Sequence, residues 1–171
     1  MNKRARTKWL LFEPFLVKSN KWHIEEKSGN GMEIKLNLKM PASYFYQKIL
    51  ESVLFDIKQQ TGDKLTEAQL PNYSYDKQFG KNRATLKITQ LIKDQSYHYE
   101  TTSTRGSYQS SYDIFANGPQ SIEVIYRANA KANGKLQQTN DMLMAFVMGF
   151  MRKRGFKKML KQIEKAYQAE Q

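Results

Sequence analysis

The sequence predicts an α+β fold with a six-stranded antiparallel sheet and two main helices, in the order β-α-β-β-β-β-β-α. Three observations predict it. One alternating strand leads directly into an amphipathic helix, a series of short strands follows, and an apolar-then-basic helix closes the chain. The gaps between the short strands contain Gly and Asn, which favours hairpins and an antiparallel meander. A single helix between the first strand and the rest argues against a doubly wound parallel sheet.

The first strand and helix are predicted from residues 33–62. Residues 33–40 alternate between apolar and polar side chains, which is typical of a strand with one buried face. Pro41 suits the first turn of a helix, and Gly62 suits its end. Between them, apolar residues recur every four positions as a stripe at Phe45, Ile49, Val53 and Ile57. Residues 66–70 could add one further helical turn.

Five more strands are expected between residues 73 and 126. Turn residues separate them at 80–82, 93–95, 105–106 and 116–119. In the second of these five strands, the alternation predicts a buried face made of Ala84, Leu86, Ile88 and Ile92.

The closing helix is predicted to begin near Asn140 or Asp141, either of which could serve as its N-cap. Residues 142–151 are apolar throughout, but a bilayer span takes roughly 20 residues. A basic cluster follows, which could kink the helix at Gly155. Its members are Arg152, Lys153, Arg154, Lys157, Lys158, Lys161 and Lys165. We expect a core helix with a solvated basic face, and a membrane-contacting helix is the alternative.

The composition fits a single domain with its own core, since the chain has 171 residues. It contains no cysteine, which excludes disulfides and thiol chemistry and fits the cytoplasm. The net charge of +12 indicates attraction to nucleic acid or anionic lipid, or simply a basic surface. Organised patterning begins at Met32. We therefore expect residues 1–31 to be an irregular extension or a mis-assigned start, and residues 32–171 to be the domain.

Residues 32–168 resemble a family of small bacterial proteins called domain of unknown function 3284. The resemblance is carried by segments 40–44, 56–62, 77–82 and 150–160. More broadly, the order of elements resembles the START/Bet v 1-like (SRPBCC, helix-grip) superfamily. That resemblance implies a curved sheet wrapped around a long C-terminal helix, with a cavity between them. Members use the cavity for lipids, sterols, hormones or polyketides, and some have filled it.

Tyrosines dominate the strand face that would line such a cavity, and they combine an apolar body with a polar tip. Methionines of the closing helix would add adaptable walls. The candidate ligand-binding residues are Tyr73, Tyr75, Tyr97, Tyr99, Tyr108, Tyr112, Tyr126, Met144, Met148 and Met151. The same tyrosines could instead fill the interior as ordinary cross-strand pairs.

No catalytic or metal site is predicted from the sequence. His98 alternates with Tyr97 and Tyr99, so it should face the other way and lack the oriented partner that a catalytic base requires. Asp56 and Glu51 are expected on the solvated face of the first helix. We predict no cofactor and no metal.

The sequence therefore favours non-catalytic binding of a small hydrophobic or amphipathic molecule in the cavity. One alternative is an adaptor that uses the basic helix on an anionic membrane or a protein partner. The anionic-surface candidates are Arg152, Lys153, Arg154, Lys157, Lys158 and Lys161. Nucleic acid is the less favoured partner, because the basic segment has few stacking aromatic residues beside it. A cyclase-like enzyme is the weakest alternative, since it would need a buried polar pair that the sequence does not identify.

Overall fold

A computed structural model describes residues 31–79, 82–104, 106–131 and 153–171. Over these ranges the elements are β1 (Gly31–Leu38), α1 (Ala42–Thr61), a 3-10 turn (Glu67–Gln69), β2 (Ser74–Phe79), β3 (Asn82–Ile92), β4 (Ser96–Ser103), β5 (Gly106–Ala116), β6 (Ile122–Lys131) and α2 (Lys153–Ala169). The predicted order of strands and helices is confirmed.

The six strands form one antiparallel sheet in the order β1-β6-β5-β4-β3-β2. Consecutive strands from β2 to β6 are neighbours, while β1 adds to the far edge by pairing with β6. Directly opposed residues lie on the same face of a sheet. The register therefore builds rows across the inner face, and one row is Tyr97, Tyr112, Tyr126 and Ile34.

Helix α1 begins and ends where the sequence predicts. Pro41 is the N-cap in an extended conformation, and its carbonyl accepts a hydrogen bond from the N–H of Phe45. Gly62 ends the helix at φ 83°, and its N–H donates to the carbonyl of Lys58. A left-handed residue at this position is easiest for glycine, because it has no Cβ to clash.

The helices and the inner face of the sheet together form two adjoining core clusters. Helix α1 packs Val53 and Ile57 on the side of β2 to β4. Near the other edge, α2 packs Leu160, Ile163 and Tyr167 against β1, β6 and the start of α1. The described part of the C-terminal helix thus packs beside the β1 edge of the sheet and the start of α1. None of the described helices is long and apolar enough to cross a bilayer.

The prediction for Ile92 is wrong. The pairing of β3 with β4 shifts between Ile88 and Gln90, which marks a β-bulge. A bulge inserts one extra residue and reverses the alternation beyond it. Leu91 therefore packs into the core, and Ile92 is 44% exposed.

Some predictions fall outside the described residues. They concern the turn at residues 80 and 81, the helix start at Asn140 or Asp141, and the side chains of Met144, Met148, Met151 and Arg152. For Lys153 and Arg154, only the helical backbone is described. Within that range the helix runs through Gly155 without a break.

Candidate functional site: the tyrosine-rich inner face

All seven candidate tyrosines lie on the inner face of the sheet. The register places Tyr97 opposite Tyr112, Tyr112 opposite Tyr126, and Tyr108 opposite Thr101. Tyr75 is opposite Leu86. Tyr73 precedes β2 and packs against the same core. The alternation read from the sequence therefore identifies the face correctly, although it does not show which of these side chains would touch a ligand.

Three tyrosine rings pack in a row across the central strands, one pair stacked and the other tilted. The ring centroids of Tyr97 and Tyr112 are 6.1 Å apart, and those of Tyr112 and Tyr126 are 4.9 Å apart. Tyr99 stacks on Tyr97 at 5.3 Å. Offset and tilted aromatic pairs of this kind are favourable beyond the area that they bury. These rings therefore serve as core packing, whatever else they do.

Burial divides the tyrosines into two groups. Tyr75, Tyr97, Tyr108 and Tyr126 are buried. Tyr73 is partly exposed at the margin, where its hydroxyl donates to Asp63 at 2.7 Å. Tyr99 and Tyr112 lie on the two central strands, yet both keep part of their surface accessible, as does Thr101 beside them. Part of the inner face therefore remains accessible on the two central strands.

The inner-face hydroxyls form a polar network. Tyr126 donates to the Ser110 hydroxyl at 3.4 Å, and Tyr99 interacts with both. Burial raises the pKa values of Tyr99, Tyr112 and Tyr126. These phenols stay protonated at neutral pH and can offer hydrogen-bond donors to an apolar interior.

A buried ion pair adjoins this network, and it corrects the expectation for Asp56. This carboxylate does not lie on the solvated face of α1, because it turns toward β2. It receives hydrogen bonds from the Tyr75 hydroxyl at 2.5 Å and the Lys77 ammonium at 2.6 Å. The Lys77 and Asp56 side chains are 6% and 14% exposed. Burial lowers the pKa of Lys77, although Asp56 opposes that effect.

One signal in the sequence could have found this pair. Residues 73–79 alternate, so Lys77 falls on the same face as Tyr73 and Tyr75. A charged residue at an inward strand position needs a counter-ion. Asp56 is the carboxylate beside the apolar stripe of α1, next to Ile57. Glu51 does lie on the exposed face, where it pairs with Lys48.

His98 lies on the outer face of the sheet, as its alternation predicts. The expectation that it lacks an oriented partner is wrong, since its Nε2 is 2.7 Å from an oxygen of Asp113. Asp113 also accepts from Arg127, which in turn donates to Glu33. Arg127 holds the pKa of Glu33 below its usual value. This outer-face network is separated from the tyrosines by the sheet itself.

The basic residues of the closing helix lie on its exposed side where they are described. Lys158, Lys161 and Lys165 are exposed, and Lys157 is partly exposed. Lys161 pairs with Glu164 at 2.7 Å. Within the described residues, no group of three or more His, Asp or Glu side chains could hold a metal ion.

The six-stranded antiparallel sheet, the order of strands and helices, and the helices packed on one face of the sheet define a helix-grip (START/Bet v 1-like) fold. The particular family follows from a family model that matches residues 32–149, described as Domain of unknown function (DUF3284). The chain belongs to this family.

Solved structures agree on the fold. Protein Ms6760 from Mycobacterium smegmatis is similar at 10% identity and a TM-score of 0.55, over 88% of this chain and 99% of that one. The di-domain aromatase/cyclase StfQ of the steffimycin biosynthetic pathway matches at 10% identity and 0.52, over 81% of this chain and 51% of StfQ. A conserved protein from Geobacillus kaustophilus is similar at 20% identity and a TM-score of 0.49, over 80% of this chain and 95% of that one. No curated protein matches the chain. At such identities, the likeness to Ms6760 and StfQ shows the fold alone.

Proposed function

We propose that this protein binds a small hydrophobic or amphipathic molecule between the inner face of its sheet and its C-terminal helix. The observation that carries the proposal is the partial exposure of Tyr99, Thr101 and Tyr112 on the two central strands. Residues at the centre of a fully packed inner face would be buried on every side. The accessible surface of these residues supports the presence of a space that a ligand can occupy.

The chemistry of this face supports an amphipathic ligand. Aromatic rings give a large apolar contact area, and protonated phenols add donors that fix orientation. The ligand class is therefore a molecule with a ring or acyl portion and a few polar atoms. We also propose a cytoplasmic location, for which the cysteine-free composition is the support.

Native mass spectrometry of freshly purified protein, followed by solvent extraction, tests this proposal. We expect a stoichiometric adduct, either as purified or after incubation with a cell lipid extract. Thr101→Phe would fill the space on the inner face and abolish the adduct. Thr102→Phe is the matched control, because Thr102 lies exposed on the other face of β4. A clean ligand-free mass of the wild type after incubation would contradict the proposal.

A cyclase-like enzyme is a second candidate, and one observation favours it. The buried polar pair that this alternative requires exists in Asp56 and Lys77, beside Tyr75. Their hydrogen bonds to one another also fit a purely structural role. Conversion of an extracted ligand by the wild type but not by Asp56→Asn would establish the enzyme. Release of the extracted ligand unchanged by both proteins would support simple binding.

A further inference from the structure

The Tyr108 hydroxyl is unusual among the polar groups of the inner face. Tyr108 is only 4% exposed, and its hydroxyl oxygen is buried. Among the described residues it has no hydrogen-bond partner. Buried tyrosine hydroxyls normally find a partner, and one that does not calls for an explanation.

The other tyrosine hydroxyls of this face show the contrast. Tyr75 donates to Asp56, and Tyr126 donates to Ser110. Tyr99 interacts with Ser110 and Tyr126. These groups are satisfied by the protein itself. The hydroxyl of Tyr108, in contrast, is buried without a partner among the described residues.

Tyr108 lies beside the partly accessible residues of the two central strands. Thr101 is directly opposite on β4, and Tyr99 and Ser110 form the next row. Thr101 brings a second small hydroxyl and keeps part of its surface accessible. Beyond Thr101 the row continues with buried Leu86, which is apolar.

We propose that Tyr108 and Thr101 form a subsite for an uncharged oxygen of the bound molecule, such as a ketone, ester or hydroxyl oxygen. This inference rests on the proposed function and specifies the polar group that the ligand carries. A ligand oxygen that accepts from Tyr108 would satisfy the buried donor, and Thr101 would offer a second contact.

The chemistry around Tyr108 favours a neutral oxygen over a carboxylate. Its cross-strand neighbours are Thr101 on one side and Ala130 on the other, and both are uncharged. Lys77 is bound to Asp56, which neutralises it. A buried carboxylate without a cation beside it would be strongly disfavoured. Burial also raises the pKa of Tyr108, so its phenol remains a donor at neutral pH.

A matched pair of dyes tests the subsite. One is a dimethylaminonaphthalene that carries a propionyl ketone, and the other is its propyl analogue, which lacks the oxygen. Fluorescence titration gives the affinity of each dye for the wild type and for Tyr108→Phe. We expect Tyr108→Phe to weaken the binding of the ketone dye by about tenfold, or about 1.4 kcal/mol. The affinity of the propyl dye should stay the same.

Thr101→Val should give a smaller loss of ketone affinity, and Thr102→Val on the outer face should give none. Thermal unfolding of the ligand-free proteins serves as a further readout. Tyr108→Phe should be at least as stable as the wild type, because it removes an unsatisfied buried hydroxyl.

The outcomes separate this inference from the proposed function. If both dyes bind and Tyr108→Phe leaves their affinity ratio unchanged, the subsite is wrong and interior binding stands. If neither dye binds, interior binding and the subsite are both overturned.

Discussion

Asp56 and Lys77 show how much depends on single residues inside this sheet. Both side chains are largely buried, and the Asp56 carboxylate accepts hydrogen bonds from Lys77 and Tyr75. Burial of two charges is expensive unless they compensate one another. The fold therefore tolerates the two buried charges when both partners are present, and it loses stability when one partner is missing.

At the residue scale, we predict that Asp56→Ala lowers the free energy of unfolding by about 3–5 kcal/mol, because it leaves a buried ammonium without its counter-ion. Replacing both partners, as Asp56→Leu with Lys77→Met, should recover most of the loss. Urea unfolding at neutral pH measures both. The control is Asp76→Ala on β2, next to Lys77, which breaks the exposed pair with Arg83 and should change stability by less than about 1 kcal/mol. An Asp56→Ala protein as stable as this control would contradict the prediction.

Local pattern predicts the tyrosine face and the inward position of Lys77, but not which carboxylate pairs with Lys77. Tyr97, Tyr99 and Tyr112 alternate along strands joined by short turns, so period and turn length together set their face. Asp56 lies at the edge of a helical stripe, and its orientation depends on Lys77 in another element. Such a contact is tertiary, and residue spacing within one element does not contain it.

At the element scale, Glu164 connects the closing helix to the first strand and helix. Its carboxylate accepts from the backbone N–H of Lys39 at 2.6 Å and from the Lys161 ammonium at 2.7 Å. Burial raises the pKa of Glu164, but these hydrogen bonds outweigh it and hold the pKa below the ordinary value of 4.5. The charged form is therefore the one that the folded protein prefers.

We predict that Glu164→Gln lowers the free energy of unfolding by about 1.5 kcal/mol at neutral pH, since it loses charge-assisted hydrogen bonds. A depressed folded pKa contributes stability above 4.5 that is lost as the pH falls through the folded value. The difference between variant and wild type should therefore shrink below pH 4.5. Urea unfolding across this range measures the difference, with Glu51→Gln at an exposed carboxylate as the control. A difference that grows on acidification would contradict the assignment.

Element boundaries were more predictable than the path of β3. Pro41 and Gly62 carry backbone preferences of their own, so both ends of α1 are encoded locally. The bulge between Ile88 and Gln90 has no such residue to mark it, and it places Leu91 rather than Ile92 on the inner face. Simple alternation cannot anticipate a shift that depends on pairing with β4.

At the scale of the whole molecule, charge governs the encounter with other surfaces. The chain carries +12, and α2 exposes Lys158, Lys161 and Lys165. We predict that the protein sediments with phosphatidylserine vesicles at about 50 mM salt and is mostly released at about 150 mM, because screening weakens exposed charges. Neutral phosphatidylcholine vesicles are the control. Binding that persists at the higher salt would instead indicate apolar insertion and would favour the adaptor alternative.

The antiparallel sheet also sets an order of assembly. Strands β2 to β6 pair with their neighbours in sequence, whereas β1 pairs with the last strand. On a chain that is still being synthesised, β1 emerges first and has no partner until β6 follows. Ile34 of β1 and Leu160 of α2 belong to one core cluster, so that cluster forms only when both ends of the domain are present. Contacts between residues so distant in sequence slow folding. We therefore expect the meander to fold first and the two ends of the domain to dock onto it together.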